Sequence, residues 1–446
     1  MNGKSLILSA AALFMTFTIS GAQSFFDFSF PDIGPGQQYR QEDSDRLEFD
    51  YDVDFQYYFD NREFKASSDI FAYTETFNSA RVSPSIGFRF HQDRNTTHRL
   101  MLGTDITKNL GENPTAVVYY SPDEHSQSLR NSQLFKDIFY YYNLSTKMLD
   151  GRFDLFAGIY PRTAMEGEYS RAIFSDITKV NDPNVEGVTL KYRTPRLFTE
   201  IGGDMTGYTG VDRRESFMIY TAGNYNFLEW LSAGWDGAYT HVGGSHIKVT
   251  RVDMAMINPF LKVDFSRKYG FEELSLKAGA LASYQHDHYI DSESHFPIAA
   301  EGIFTAKKWG LGLENTVFYG DNMMIYKSSV YSDEYLDTSS YTNILYLGEP
   351  FYFTHRGYSA GYDRVELFFE PAIADAVKLR VSAVGHFIFP SSELVGAFLG
   401  WQGRASLVFD LDAIRHPQKA LPHNGSRQSR RKDQERRHSN GPLFRL

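Results

Sequence analysis

Three groups of residues have the types and spacing that chemistry uses. Asp50, Asp52 and Asp54 stand at alternate positions, as carboxylates do in a calcium loop. Such a loop wants glycine directly after the third acid and a bidentate glutamate further on, and Phe55 stands in the glycine position. His286-Asp287-His288 would put two imidazoles on one side of an extended segment, but the sequence shows no second ligand cluster to complete a metal site. Gly243-Gly244-Ser245-His246 brings a serine beside a histidine without the second glycine or the strand–turn–helix setting of a nucleophile elbow, and reads as a glycine-rich turn. His91 and His98 flank a predicted turn as ordinary polar residues. The expectation is therefore no catalytic residue, no metal and no cofactor. A triad assembled across distant strands would not show in one sequence, because geometry and not order defines it.

The elements that carry these residues are strands. From Leu47, the side chains Leu47, Phe49, Tyr51, Val53, Phe55, Tyr57 and Phe59 take one face, and Glu48, Asp50, Asp52, Asp54 and Gln56 take the other. A face with that many carboxylates cannot lie in an apolar core, so it is expected to meet water while the other meets something apolar. Leu231, Ala233, Trp235, Gly237 and Tyr239 likewise oppose Ser232, Gly234, Asp236 and Thr240. Ile257, Leu261, Val263 and Phe265 oppose Asn258, Lys262, Asp264 and Ser266, and near the end Leu399, Trp401, Ala405, Leu407, Phe409 and Leu411 oppose Gln402, Arg404, Ser406 and Asp410. These runs exceed the five or six residues usual in a sandwich and match the length a tilted strand needs to cross a bilayer. Short links such as Thr194-Pro195 alternate with long ones at 60–80, 108–134, 162–184 and 321–357, the wiring of an up-and-down transmembrane barrel. The pattern predicts an all-β antiparallel barrel over 47–412 with about 16 strands, within a range of roughly 14 to 18. No sustained helical stripe competes with it.

Composition agrees. There is no cysteine, while Tyr, Phe and Trp number 29, 37 and 4, which suits a barrel wall banded with rings at both lipid–water interfaces. Lys4, the apolar run Leu6–Ile19 and the small residues Ser20-Gly21-Ala22 predict a cleaved export signal over 1–22, the run being too short to span roughly 30 Å of hydrocarbon. Residues 23–46 read as a periplasmic lead-in or mouth segment. The 413–446 tail carries nine Lys/Arg against Asp433 and Glu435; with this +7, the +1 of Lys4 and a total of −10, the chain between carries −18. That acidic body argues against a nucleic-acid partner.

The segment Phe156-Ala157-Gly158-Ile159-Tyr160-Pro161-Arg162, a charged loop, and then Val185-Glu186-Gly187-Val188-Thr189-Leu190-Lys191-Tyr192 resembles the corresponding part of porins, and the hairpin layout over most of 47–411 resembles theirs too. Composition is similar to that of barrels from Bacteroidota. The resemblance implies that the third long loop folds inward and narrows a pore, with Glu166, Glu168, Arg171, Asp176 and Asp182 as constriction candidates. The other reading of this loop is an external cover. Alternation supplies the pore-lining candidates Glu48, Asp50, Asp52, Asp54, Asp236, Lys262, Asp264 and Arg404. The expected function is passive diffusion of small hydrophilic solutes through the outer membrane of a Gram-negative bacterium, with a net acidic lumen favouring cations. The expected partners are outer-membrane lipid, the barrel-insertion machinery and those solutes. Porin-like barrels are often trimers, so a homo-oligomer is among the implied assemblies, although no flat apolar trimer face can be read from the residues. One departure stands out: porin chains commonly stop at an aromatic residue closing the last strand, whereas 34 residues follow Asp412 here. This tail reads as disordered, and as either a periplasmic extension or the product of a shifted reading frame. A second functional reading is a plugged structural or secretion barrel. It draws on Phe156, Phe260, Phe304, Phe318 and Phe368, which fall on the nominally polar faces. A hydrolase sited at the barrel rim comes after both.

Overall fold

A computed structural model describes residues 46–65, 74–110, 137–207, 215–244, 251–266, 269–289, 293–327, 345–352, 360–374, 376–392 and 396–410. The expected export signal, the lead-in up to residue 45 and the tail lie outside these residues, as do Ser245 and His246.

The strands are β1 (Arg46–Phe64), β2 (Glu75–His91), β3 (Thr96–Asn109), β4 (Asp137–Met148), β5 (Gly151–Pro161), β6 (Asn184–Arg193), β7 (Leu197–Met205), β8 (Ser216–Leu228), β9 (Leu231–Val242), β10 (Val252–Asp264), β11 (Glu273–Asp287), β12 (Ile298–Lys308), β13 (Leu311–Gly320), β14 (Ala360–Phe369), β15 (Val377–Ser392) and β16 (Gly396–Asp410). Each pairs antiparallel with its sequence neighbours, and β1 pairs with β16 to close the barrel. The 16 strands match the expected number. β1 and β2 depart most from the expected bounds: they run as strand through much of the 60–80 segment, which the sequence reading had taken as a long loop.

The wall is inverted relative to a soluble protein. Leu47, Phe49, Leu100, Leu102, Leu261, Leu276 and Leu367 are exposed on the outside, with Trp230, Tyr269, Trp309 and Phe369 at one end and Tyr140, Phe296, Tyr319 and Phe389 at the other. A continuous apolar belt edged by rings is stable only against lipid. At the ring-rich lower end the turns are tight: Trp309 and Gly310 both adopt positive φ, the pairing that a two-residue hairpin turn demands. At the other end two connections matter here: L3 (162–183), which holds the short helix α1 (Asp176–Asn181), and L7 (321–359), of which 321–327 and 345–352 are described.

Three readings of the polar faces are corrected. The carboxylates of β1 face the lumen as expected, but Asp50 and Asp52 are 2% and 3% exposed, so they meet partners in the lumen more than open water. Phe304 lies on the outer wall, 36% exposed, because inward positions on β12 are Glu301, Ile303 and Thr305; Phe156, Phe260, Phe318 and Phe368 do point inward and are buried. Leu399 also turns inward, fully buried, since the β15–β16 pairing shifts register between His386 and Phe387 and a bulge re-aims the side chains beyond it.

Candidate constriction site

L3 leaves β5, enters the lumen and crosses it. Arg162 ties its two ends together: Nη1 donates to Asp204 on β7 at 2.8 Å, Nε to the Asp182 carbonyl at 2.7 Å and Nη2 to the Asn184 carbonyl at 2.8 Å. Arg162 also pairs with the Asp182 carboxylate. Further in, Glu200 of β7 accepts the backbone N–H groups of Glu166 and Gly167 at 2.9 and 2.8 Å and the Tyr169 hydroxyl at 2.7 Å. Gly167 allows this approach, since a Cβ there would strike both Glu200 and Ala222. Glu166 itself pairs with Lys191 and Arg193 of β6.

At mid-lumen, the Ser170 N–H donates to Asp236 of β9 at 2.8 Å and its hydroxyl to Glu301 of β12 at 2.9 Å. Glu168 sits 3.5 Å from Lys262 and 3.9 Å from Lys277. The far end reaches the opposite wall: Asp176 accepts from Arg404 of β16 at 2.7 Å and from Arg171 at 2.9 Å. Arg171 continues to Glu349 of L7 at 3.3 Å and lies 3.9 Å from Glu314 of β13. Burial disfavours the Asp176 carboxylate, but Arg171 and Arg404 outweigh it and hold its carboxyl well below the usual range. Ser175 caps α1 through a bond from the Thr178 N–H at 3.1 Å, so the Ser-x-x-Thr spacing fixes where Asp176 points.

L7 folds onto L3 from the lumen side. The Ser175 N–H and the Thr178 hydroxyl both donate to the Leu347 carbonyl at 2.8 Å, and the Glu349 N–H donates to the Arg171 carbonyl at 2.7 Å. Gly348 sits where a Cβ would land on the Ala172 carbonyl. L7 reaches the wall mainly through phenols: Tyr352 donates to Glu301, Tyr346 to Gln285 at 2.5 Å, and the Asp287 N–H donates to Tyr326 at 2.9 Å. Ile173 and Phe174 of L3 and Leu345 of L7 join Met218, Met254 and Met256 of the wall in one apolar cluster, with a cavity of only about 10 Å³ among them.

The remaining wall divides by residue type. From β14 round to β3 it carries arginines, each held by acids: Arg99 and Arg89 on Asp50 at 2.7 and 2.9 Å, Arg62 on Asp60 at 2.8 Å, Arg364 and Arg380 on Glu366 at 2.7 and 3.0 Å. From β10 to β13 it presents Asn258 Oδ1, Ser275 Oγ, Thr305 Oγ1 and Thr316 Oγ1, enclosed yet without a protein partner, groups whose hydrogen bonds water or solute must complete.

The structure thus brings together all five constriction candidates, with Asp236, Lys262 and Arg404 from the wall. Asp50, Asp52 and Asp54 lie lower on the inner wall. The oxygens of Asp52, Asp54 and Asp410 fall within 4.8 Å of one another, a crowding of like charges at the β1–β16 seam. Glu48 lies 3.8 Å from His91 near the lower rim. Asp264 is exposed at that rim and accepts the Ser266 N–H at 2.9 Å, bracing a turn. Not singled out in the sequence were Glu200, Glu301, Glu314, Lys277 and the inward packing of residues 321–327 and 345–352 of the long loop at 321–357. Strand alternation alone would have put the first four on the lumen face.

No family model matches the chain, and no curated protein matches it either. Among solved structures it is similar to a loop-deletion form of the outer membrane protein OmpT of Vibrio cholerae (9% identity, covering 82% of this chain and 99% of that one, TM-score 0.45). It is also similar to OccAB1 of Acinetobacter baumannii (11%, 84% and 100%, TM-score 0.42) and to OprD of Pseudomonas aeruginosa (11%, 83% and 95%, TM-score 0.38). The closed strand order of the chain itself, not this likeness, carries the fold assignment.

Proposed function

We propose that this chain is an outer-membrane diffusion channel for small hydrophilic solutes, narrowed to a selective passage by L3 and L7. The observation that carries the reading is the span of L3 across the lumen, from Glu200 and Asp236 on one side to Arg404 on the other. A loop placed there by charge pairs sets both the width and the transverse field that a solute meets. Enclosed polar atoms with no protein partner along β10 to β13 support a hydrophilic path. The acidic body gives the passage its cation bias,. Apolar wall and ring girdles make outer-membrane lipid the surrounding partner. An export signal and the insertion machinery are the corresponding route there.

The test is conductance of the purified full chain in a planar bilayer under a salt gradient. Small discrete steps with a cation-biased reversal potential are expected, and replacing 166–178 by a short Gly/Ser linker should raise the step size several-fold. A plugged structural barrel is the second reading. It is favoured by Phe156, Phe318, Met323, Met324 and Tyr352, all fully or almost fully buried within the lumen. Folded, inserted protein that stays silent until L3 is removed would transfer the assignment to it.

A further inference from the structure

The His286-Asp287-His288 segment lacked companion ligands in the sequence, and the barrel supplies them. Asp253 on β10 lies directly across from His241 on β9 and from His286 on β11, so all three side chains share one row on the outer wall. Asp287, by contrast, points inward and is fully buried. His241 Nδ1 stands 2.7 Å from Asp253 Oδ1, and His288 Nε2 stands 2.6 Å from Asp253 Oδ2. The His286 and His288 rings touch edge to face with centroids 4.4 Å apart. The Tyr239 hydroxyl donates to Asp253 Oδ1 at 2.6 Å, and Phe217 stacks on His241 at 5.2 Å. Two imidazoles thus hold one carboxylate, with a third ring beside the second, at the loop-bearing end of an apolar wall.

We propose that His241, Asp253 and His288, with His286 beside them, form a binding site for a divalent transition metal of the zinc class on the outer rim of the barrel. Imidazole and carboxylate are the donor set that such borderline ions take. With bonds of about 2.0–2.1 Å, a tetrahedral ion separates its ligand atoms by roughly 3.3 Å. The two ring nitrogens are hydrogen-bonded to opposite oxygens of the carboxylate at 2.7 and 2.6 Å, so one ring must turn for both to meet a single ion. His288 follows the last residue of β11 and its side chain is 40% exposed, so it is the ring free to turn inward onto the ion. A fourth ligand would come from water or from His286, whose Nδ1 lies 3.2 Å from the Glu293 carbonyl. Tyr239 acts as a positioning residue that fixes the carboxylate. Nothing in this site depends on whether the lumen conducts.

The test is titration calorimetry of the untagged, folded full chain in detergent with zinc chloride. Asp253→Asn and His288→Ala should each weaken the expected site at least tenfold, and Tyr239→Phe by about tenfold, while His98→Ala leaves it unchanged. His288→Ala lies in a turn and serves where Asp253→Asn perturbs folding. Heat that is absent, or identical in the wild type and both variants, overturns the proposal and assigns any binding to histidines elsewhere.

Discussion

L3 and L7 occupy the same lumen but are held by different chemistry. L3 is fastened by charge: Asp176 to Arg404 and Arg171, Glu168 to Lys262 and Lys277, and backbone N–H groups to Glu200 and Asp236. L7 is fastened by phenols and apolar side chains, through Tyr326, Tyr346, Tyr352, Met323 and Leu345. A buried charge network fixes one geometry, because each ion left without its partner is costly. Apolar packing tolerates small rearrangements. L3 is therefore expected to be the more rigid of the two, and the described part of L7 the more tolerant of rearrangement.

The sharpest way to break this contrast is at Glu200. It is the common acceptor for two backbone N–H groups and the Tyr169 hydroxyl. Glu200→Leu leaves three enclosed donors unpaired and also removes a charge facing Lys191. The expected cost to L3 is on the order of 3–5 kcal/mol, enough to release it. Single-channel conductance should rise several-fold, approaching the value for L3 replacement. Unchanged conductance would mean that L3 is held by its apolar contacts, and the distinction from L7 would collapse.

Next in size is the Arg404–Asp176 pair. Arg404→Met strips one partner from a carboxylate that is buried in the lumen, at about 3 kcal/mol, while adding Asp176→Asn removes the stranded charge and should recover much of that loss. Urea unfolding of the two single variants and the double variant measures the coupling. Additive effects would show that the pair is incidental.

The contrast also explains what the sequence displayed. Period-two alternation fixed the barrel because lipid on one side and polar lumen on the other force opposite residue types onto successive positions. It therefore marked Asp236, Lys262 and Arg404 as lumen-facing. L3 announced itself by charge density, with Glu166, Glu168, Arg171, Asp176 and Asp182 within one loop. L7 gave no such sign, since tyrosines and methionines in a loop look the same whether they cover a surface or fill a lumen. Leu399 was misplaced because a bulge changes the facing of a strand without altering its composition. The Asp253 cluster was invisible for a different reason: its ligands sit on three strands, and only the register brings them into one row.

The smallest effect separates the loops by pH. In L3, Asp176 is held well below the ordinary carboxylate value, burial being outweighed by Arg171 and Arg404. A lowered folded value stabilises the loop fully above about pH 4, and the contribution is lost only as pH falls through that depressed value. In L7, burial and the neighbouring Glu301 push the Tyr352 phenol well above its ordinary value of 10.0. A raised folded value stabilises below about pH 10 and is lost as pH climbs through it. Tyr169 of L3 is raised likewise, by burial and Glu200, so alkali acts on both loops, while Asp176 gives L3 an acid response of its own. Conductance should drift upward as pH falls below 4. Asp176→Asn, which cannot titrate, should reduce the drift below pH 4, and Tyr352→Phe should leave it intact while trimming the alkaline one. An acid response that survives Asp176→Asn undiminished would place the acid-sensitive element outside L3, on the carboxylates of the wall itself.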